Sequence, residues 1–468
     1  MMLAASRPLA SKALGPADPR LAGSWTKGKA MRANHPFTRA AHRLLPSLLL
    51  FLVGMSNAAT APPQPVVFDA TPANAAPSPL GLPDLIRISL ERNPALAQAG
   101  LDVEAARGRA LQAGLYPNPT IGVTGEEIGR RGGIYTLPLI SQEIVRGGKL
   151  GLSRAVAERQ TDQTLLALQR QRYALFTTVR QGYFEVLASR RRIEVLTDLV
   201  GLADQSLVNA RKLLEAKVIA ELDVLQFEVE RDRFRADLDA ARNEEAASWR
   251  RLAAEVGAPD LPRAPLVNLL GDVLPDYGFD EARAFVLEEH PEVRSARVGV
   301  TRAQLALRRA EVEKVPNVTA DVGYQRNVND RENEAHFQVS LPVPLWNRNQ
   351  GNILAAQADV GRSLQEVGRV QNDLSGRLAA AFGRYAAAKV RAERYRASVL
   401  PNAQKAYRLA QEAFKGGQFE YLRVLQAQRA AAEANLEYVR VQSEAWQAAG
   451  EIAGLLLKDC WPAPAPER

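Results

Sequence analysis

Protein chemistry rests on a short list of side chains, and this chain is poor in them. It has one cysteine, Cys460, and four histidines among 468 residues. A single thiol excludes an intramolecular disulfide and any multi-thiolate zinc centre. No phosphate-binding Gly-rich loop, G-x-S-x-G elbow, H-E-x-x-H pair or C-x-x-C occurs. Carboxylates are plentiful, but they stand among arginines and lysines on helical faces, the pattern of ion-paired surfaces. His290 precedes Pro291 at a helix start, a structural position, and His336 stands alone on the polar side of a strand. These residues predict no enzyme, no cofactor and no resident metal.

The formal charge of +8 comes from 60 basic and 52 acidic residues. Eight of the basic residues and one acid, Asp18, fall in residues 1–58. The remaining chain holds 52 basic against 51 acidic groups and has no basic stripe, so no nucleic-acid partner is expected. In residues 1–58, Arg32, Arg39 and Arg43 precede an apolar run from Leu44 to Met55, followed by Ser56-Asn57-Ala58. Twelve residues make roughly 18 Å of helix, short of the ~30 Å hydrocarbon core. The pattern predicts a secretory signal peptide in 1–58, then a Pro/Ala-rich, disordered lead-in over 59–79.

The elements behind this chemistry are written twice. Asn93-Pro94 returns as His290-Pro291, Pro117-Asn118 as Pro316-Asn317, and Leu222-Asp223-Val224-Leu225-Gln226 as Leu422-Arg423-Val424-Leu425-Gln426. Matches in one order at nearly one offset define repeats at 80–260 and 279–457, joined by a linker at 261–278 and followed by a Pro-rich tail at 458–468. Each repeat reads helix, strand, strand, long helix, helix. The long helices are expected at 149–216 and 351–415, with Pro401 marking a local irregularity in the second. The first would span roughly 100 Å, too long for a globular core. Leu196, Leu199, Val200, Ala203, Leu207 and Ala210 recur at three- and four-residue spacing, which fits coiled-coil packing.

Strands are expected at about 119–127, 134–144, 317–326 and 335–345. Val318, Ala320, Val322 and Tyr324 alternate with Thr319, Asp321, Gly323 and Gln325. Phe337, Val339, Leu341, Val343 and Leu345 alternate with His336, Gln338 and Ser340, and Tyr135, Leu137 and Leu139 share a face of the second strand. Such segments have the length and alternation of membrane-spanning β-strands. Four strands cannot close a barrel, and open edges are not tolerated in lipid. Three chains would supply twelve strands and no edge, so a homotrimer is expected. A soluble four-stranded sheet covered by helices, in a secreted coiled-coil scaffold, is the alternative of another class.

The order resembles the TolC family of outer-membrane channels, and within it the outer-membrane component of cobalt–zinc–cadmium efflux systems. The resemblance rests on Leu115-Tyr116-Pro117-Asn118-Pro119, Arg146-Gly147-Gly148-Lys149, the run Leu341 to Gly351, and Ala413-Phe414-Lys415-Gly416-Gly417-Gln418-Phe419. It implies a fold that is mainly α with a membrane β-barrel: a trimeric twelve-stranded barrel continued by a long α-helical barrel through the periplasm. It further implies an adaptor protein and an inner-membrane RND pump as partners, and heavy-metal cations as cargo. Drugs or secreted polypeptides are the alternative cargo. On this reading Thr319, Asp321, Gln325, Gln338 and Ser340 line the lumen. Val318, Val322, Tyr324, Phe337, Val339 and Leu341 face lipid. Lys217, Asp223, Lys415, Gly416, Gly417, Arg423 and Gln426 form the periplasmic tip. Family members place acidic residues just after the second tip, where this chain has Arg423 and Gln426, so an Asp223–Arg423 link holding the tip shut is expected instead.

Overall fold

The computed structural model describes residues 79–462, except 131, 268–269, 272 and 416–420. The expected signal peptide and lead-in therefore lie outside the described residues, as do Gly416, Gly417 and most of the tail.

The first repeat contains α1 (Leu82–Arg92), α2 (Pro94–Ala113), β1 (Thr120–Gly129), β2 (Gly132–Ile144), α3 (Lys149–Glu215) and α4 (Glu221–Val256). The second contains α5 (Phe279–Glu289), α6 (Pro291–Val312), β3 (Val318–Asn327), β4 (Glu332–Ser340) and α7 (Gln350–Arg394). A π-helical turn (Tyr395–Val399), α8 (Leu400–Lys415) and α9 (Tyr421–Leu455) complete it. The leading helix of each repeat is broken in two at its X-Pro pair. Proline fits the first turn of a helix, where its missing N–H is no loss, so it starts a new helix. Asn93 Oδ1 accepts from Ala95 N at 2.9 Å, and His290 Nδ1 accepts from Glu292 N at 3.3 Å. One position is thus capped by an amide in one repeat and by an imidazole in the other. Burial pushes the His290 pKa down to about 4, against the opposing pull of Glu292.

α3 is a single helix of 67 residues. Its counterpart is interrupted, and repeat spacing gives the reason. Leu175, Val179, Gly182 and Val186 on α3 match Leu374, Leu378, Ala381 and Tyr385 on α7 at a spacing of 199, all of them buried. Beyond the π turn, Leu207 and Ala210 match the buried Tyr407 and Ala410 at 200. An i→i+5 turn holds one residue more than an α turn, so the π turn absorbs the extra residue and keeps both faces in phase. Pro401, just beyond it, has no N–H to give to the ladder.

The largest apolar core gathers α1, α3, α4, α5, α6, α7 and α9. Phe184 stacks on Trp446 with centroids 4.9 Å apart, and Trp461 Nε1 donates to Tyr277 Oη at 2.6 Å. Arg180 is fully buried there, over the rings of Phe176 and Trp461, and Nη2 donates to the carbonyls of Lys458 and Asp459. Desolvation lowers its pKa to about 10. Three smaller clusters continue along the helices, where Leu and Ala of α3 meet α4 and α9.

The four strands form one antiparallel sheet in the order β1-β2-β3-β4. Two expectations need correction. β4 ends at Ser340, so Leu341, Val343 and Leu345 are not strand residues. Pro342 and Pro344 cannot donate to a ladder, and Leu345 N turns back to Val343 O at 2.9 Å. In β2, three steps from Thr136 to Leu139 face two steps from Gln325 to Gly323. This bulge at Leu137-Pro138 reverses the alternation, placing Leu139 opposite Gly323 and giving the apolar row to Ile140.

Candidate functional site: the two-faced sheet and the helical tip

Residues directly opposite each other in an antiparallel ladder project to the same face. The register therefore builds rows that cross all four strands. Thr120, Ser141, Asp321 and Gln338 form one row, and Thr124, Thr136, Gln325 and Glu334 another. Ser340 and Thr319 continue this face beside Glu143. On the opposite face Ile121, Ile140, Val322 and Phe337 form a wholly apolar row, flanked by Val339 opposite Ala320 and Tyr324 opposite Ala335. Phe337 and Ile121 are 71% and 75% exposed, too much apolar surface for a sheet left in water. Val318 lies on this face opposite Ile144.

The polar face is also one-signed. Glu126, Glu143, Asp321, Glu332 and Glu334 lie on it, and its register positions hold no lysine or arginine. Arg326 belongs to the other face, where its guanidinium donates to Asn333 Oδ1 at 2.6 Å. Sequence alternation found Asp321 but missed Glu143, because β2's bulge puts the two in phase only once the pairing is known. Among the described residues no three His, Cys, Asp or Glu side chains are grouped to hold a metal ion. No described helix is long and apolar enough to cross a membrane.

At the far end, α3 turns into α4 through Ala216–Ala220. Val218 N returns to Leu213 O and Lys217 N to Leu214 O, both at 2.8 Å, with Lys217 left-handed at φ 57°. This double closure satisfies the last carbonyls of α3. Asp223 Oδ2 accepts from Ala220 N at 3.0 Å, which caps α4 and sets its charge at the positive end of the helix. One oxygen of the Asp223 carboxylate is thereby engaged by the start of its own helix. A bond joining α4 to α9 lies two turns further in: Arg429 Nε and Nη2 donate to Glu230 Oε2 at 3.0 and 2.6 Å. Glu230 is 2% exposed. The nearest sequence signal was a carboxylate and an arginine 199 residues apart, invisible without knowing which helix faces meet. Arg423 and Gln426 are exposed on the first turns of α9.

A two-faced sheet joined to antiparallel helices far longer than a globular core requires is the architecture of an outer-membrane channel subunit. The chain belongs to the outer membrane efflux protein family, whose pattern matches residues 85–258 and 285–456, one stretch in each repeat. Among relatives, it is 26% identical over 381 residues to the cobalt-zinc-cadmium resistance protein CzcC of Cupriavidus metallidurans, covering 81% of this chain and 91% of that one. Its fold is similar to the transmembrane channel CusC, with a TM-score of 0.67 and 18% identity over 84% of this chain and 95% of that chain. The outer membrane protein VceC of Vibrio cholerae superposes with a TM-score of 0.68 and 19% identity, covering 80% and 95%.

Proposed function

We propose that three copies pair β4 of one with β1 of the next to close a twelve-stranded barrel across the outer membrane. The barrel and its helical extension form the exit duct of a tripartite efflux system that passes heavy-metal cations from an RND-type pump and its adaptor to the exterior. The observation that carries this is the sheet: it ends in two unpaired strands and bears one apolar and one polar face. Bare strand edges cannot stand in hydrocarbon, where each unmet backbone group costs several kcal/mol, so both edges require partners.

In this assembly Val318, Val322, Tyr324, Phe337 and Val339 meet lipid, while Thr319, Asp321, Gln325, Gln338 and Ser340 line water. The acidic bore suits cations, and the similarity to CzcC supports a metal cargo. Lys217, Asp223, Lys415, Gly416, Gly417, Arg423 and Gln426 form the periplasmic tip where an adaptor docks, with Glu230–Arg429 tying the two hairpins together behind it. The duct needs no metal site of its own, because hydrated ions pass fastest where nothing holds them.

Native mass measurement of detergent-extracted protein tests the assembly, and a monomer mass would refute it. Deleting the gene and comparing growth in Co, Zn and Cd salts with growth in hydrophobic drugs tests the cargo. Sensitivity to metals alone is expected; sensitivity to drugs alone would move the duct to the alternative cargo.

A further inference from the structure

We propose that Glu143 sets the charge selectivity of the duct at the neck between sheet and helices, and that Asn317 and the buried Lys149 hold its carboxylate in place. This rests on the trimeric duct described above. β2 passes into α3 in four residues, with Gly147 at φ 72° and Gly148 at φ 67°, a region that side-chain-bearing residues rarely adopt. A Cβ on Gly147 would also fall 3.3 Å from Val315. This tight turn seats Lys149, 3% exposed, against the start of β3.

There Lys149 Nζ donates to Asn317 Oδ1 at 2.9 Å and stands 3.6 Å from Glu313 Oε1. An ammonium group only donates, so the amide oxygen of Asn317 must face it and the amide nitrogen must point away. That nitrogen donates to Glu143 Oε1 at 2.6 Å, while Arg146 N reaches the same amide oxygen at 3.3 Å. Glu143 itself is exposed, in register with Thr319 and on the face of Ser340. The counter-charge is therefore behind the wall and the carboxylate in front of it. The other four carboxylates of this face, Glu126, Asp321, Glu332 and Glu334, have no such hold among the described residues. The second repeat lacks an equivalent: Asn349 precedes α7 and donates to Ala310 O, and the prolines at 342 and 344 replace the end of a strand. Each chain thus contributes one fixed carboxylate, and three copies make a ring of three.

Reversal potentials of the purified channel in planar bilayers under a KCl gradient provide the test. The wild-type channel is expected to prefer K⁺ to Cl⁻, and Glu143→Gln to lower that permeability ratio by about 3-fold or more with conductance retained, because a ring of fixed charges on the lumen wall concentrates counter-ions locally. Asn317→Ala, which keeps the charge but releases it, should lower the ratio by less, and Asp321→Asn by least. An unchanged ratio in Glu143→Gln overturns the proposal, as does a larger effect of Asp321→Asn. If Glu143→Gln does not assemble, Asn317→Ala carries the test, and an unchanged ratio there is again refutation. A wild-type protein that forms no channel would instead overturn the duct reading.

Discussion

The two helical hairpins, α3 with α4 and α8 with α9, are the same element built with different forces. In the first, Arg235 Nη2 bonds Asp204 Oδ1 at 2.9 Å and Arg211 Nη2 bonds Glu228 Oε1 at 2.6 Å, two ionic rungs across the pair. At a spacing of 200 the second hairpin has Gln404, Asn435, Gln411 and Gln428 in these four places. Gln411 donates to Tyr407 Oη on its own helix, Asn435 to Ala431 O, and Gln428 is buried with neither amide atom partnered. Both of these ionic rungs have become pairs of amides, and the π turn stands at the base of the same hairpin. Nearer the main core the repeats agree instead. Arg192–Glu244 and Arg391–Glu444 are equivalent bridges, and Arg251–Glu185 returns with its charges exchanged as Glu451–Arg384. A bridge needs opposite signs, not a fixed owner of each sign. The lesson is that the repeats keep geometry where they share a core and diverge in bonding towards the tip.

The comparison would be broken most severely at Glu230, the buried carboxylate that receives Arg429. Arg429→Ala strips this buried carboxylate of its ion pair and should cost about 3–5 kcal/mol in denaturant unfolding of the detergent-solubilised protein. A cost below about 1 kcal/mol would mean the hairpins are joined by apolar packing alone.

The caps sharpen the comparison through pH. The His290 pKa falls to about 4 in the fold from an ordinary value near 6.5. The unfolded chain therefore takes up the proton first, and stability is full above about pH 6.5 and declines as pH falls towards 4. Replacing His290 with the asparagine found at position 93 keeps the cap and should remove on the order of 2 kcal/mol of this acid-dependent loss. Unfolding curves at pH 7 and pH 4.5 decide it; an identical pH response would dismiss the histidine.

The ends of α4 and α9 are a smaller contrast. Gly257 and Leu457 occupy equivalent left-handed positions, at φ 83° and 54°. Ala258 N returns to Ala253 O at 2.9 Å, and Lys458 N to Ala453 O at 3.0 Å. Only Gly257 is in close quarters, since a Cβ there would lie 2.7 Å from Asn93 Cα. Leu457→Gly should therefore stabilise the protein by about 1 kcal/mol, by relieving the left-handed leucine. A loss of stability would show that the leucine side chain contributes more by packing. Least of all, Arg211→Gln with Glu228→Gln converts a rung of the first hairpin into its counterpart in the second. The pair is largely exposed, so a loss under about 1 kcal/mol is expected, diminishing as salt rises.

Much of this molecule was legible in its residues. Hydrophobic spacing and the lack of proline between Lys149 and Glu215 specify one long helix, because local propensity and a continuous stripe act without distant partners. Alternation in Val318–Gln325 and Phe337–Ser340 specifies two unlike faces, since the pleat has a period of two whatever the strand pairs with. What stayed hidden depended on partners far along the chain. The bulge at Leu137-Pro138 follows from pairing with β3, and Asp223 turned to its own helix while Glu230 met Arg429. The neck triad of Glu143, Asn317 and Lys149 brings together residues up to 174 positions apart. The sequence by itself determined the helices, the strand faces and the duplication, which are properties of neighbours. The tertiary structure alone decided which charges meet, because a side chain bonds to whatever packing brings within about 3 Å, and that distance is not written in spacing.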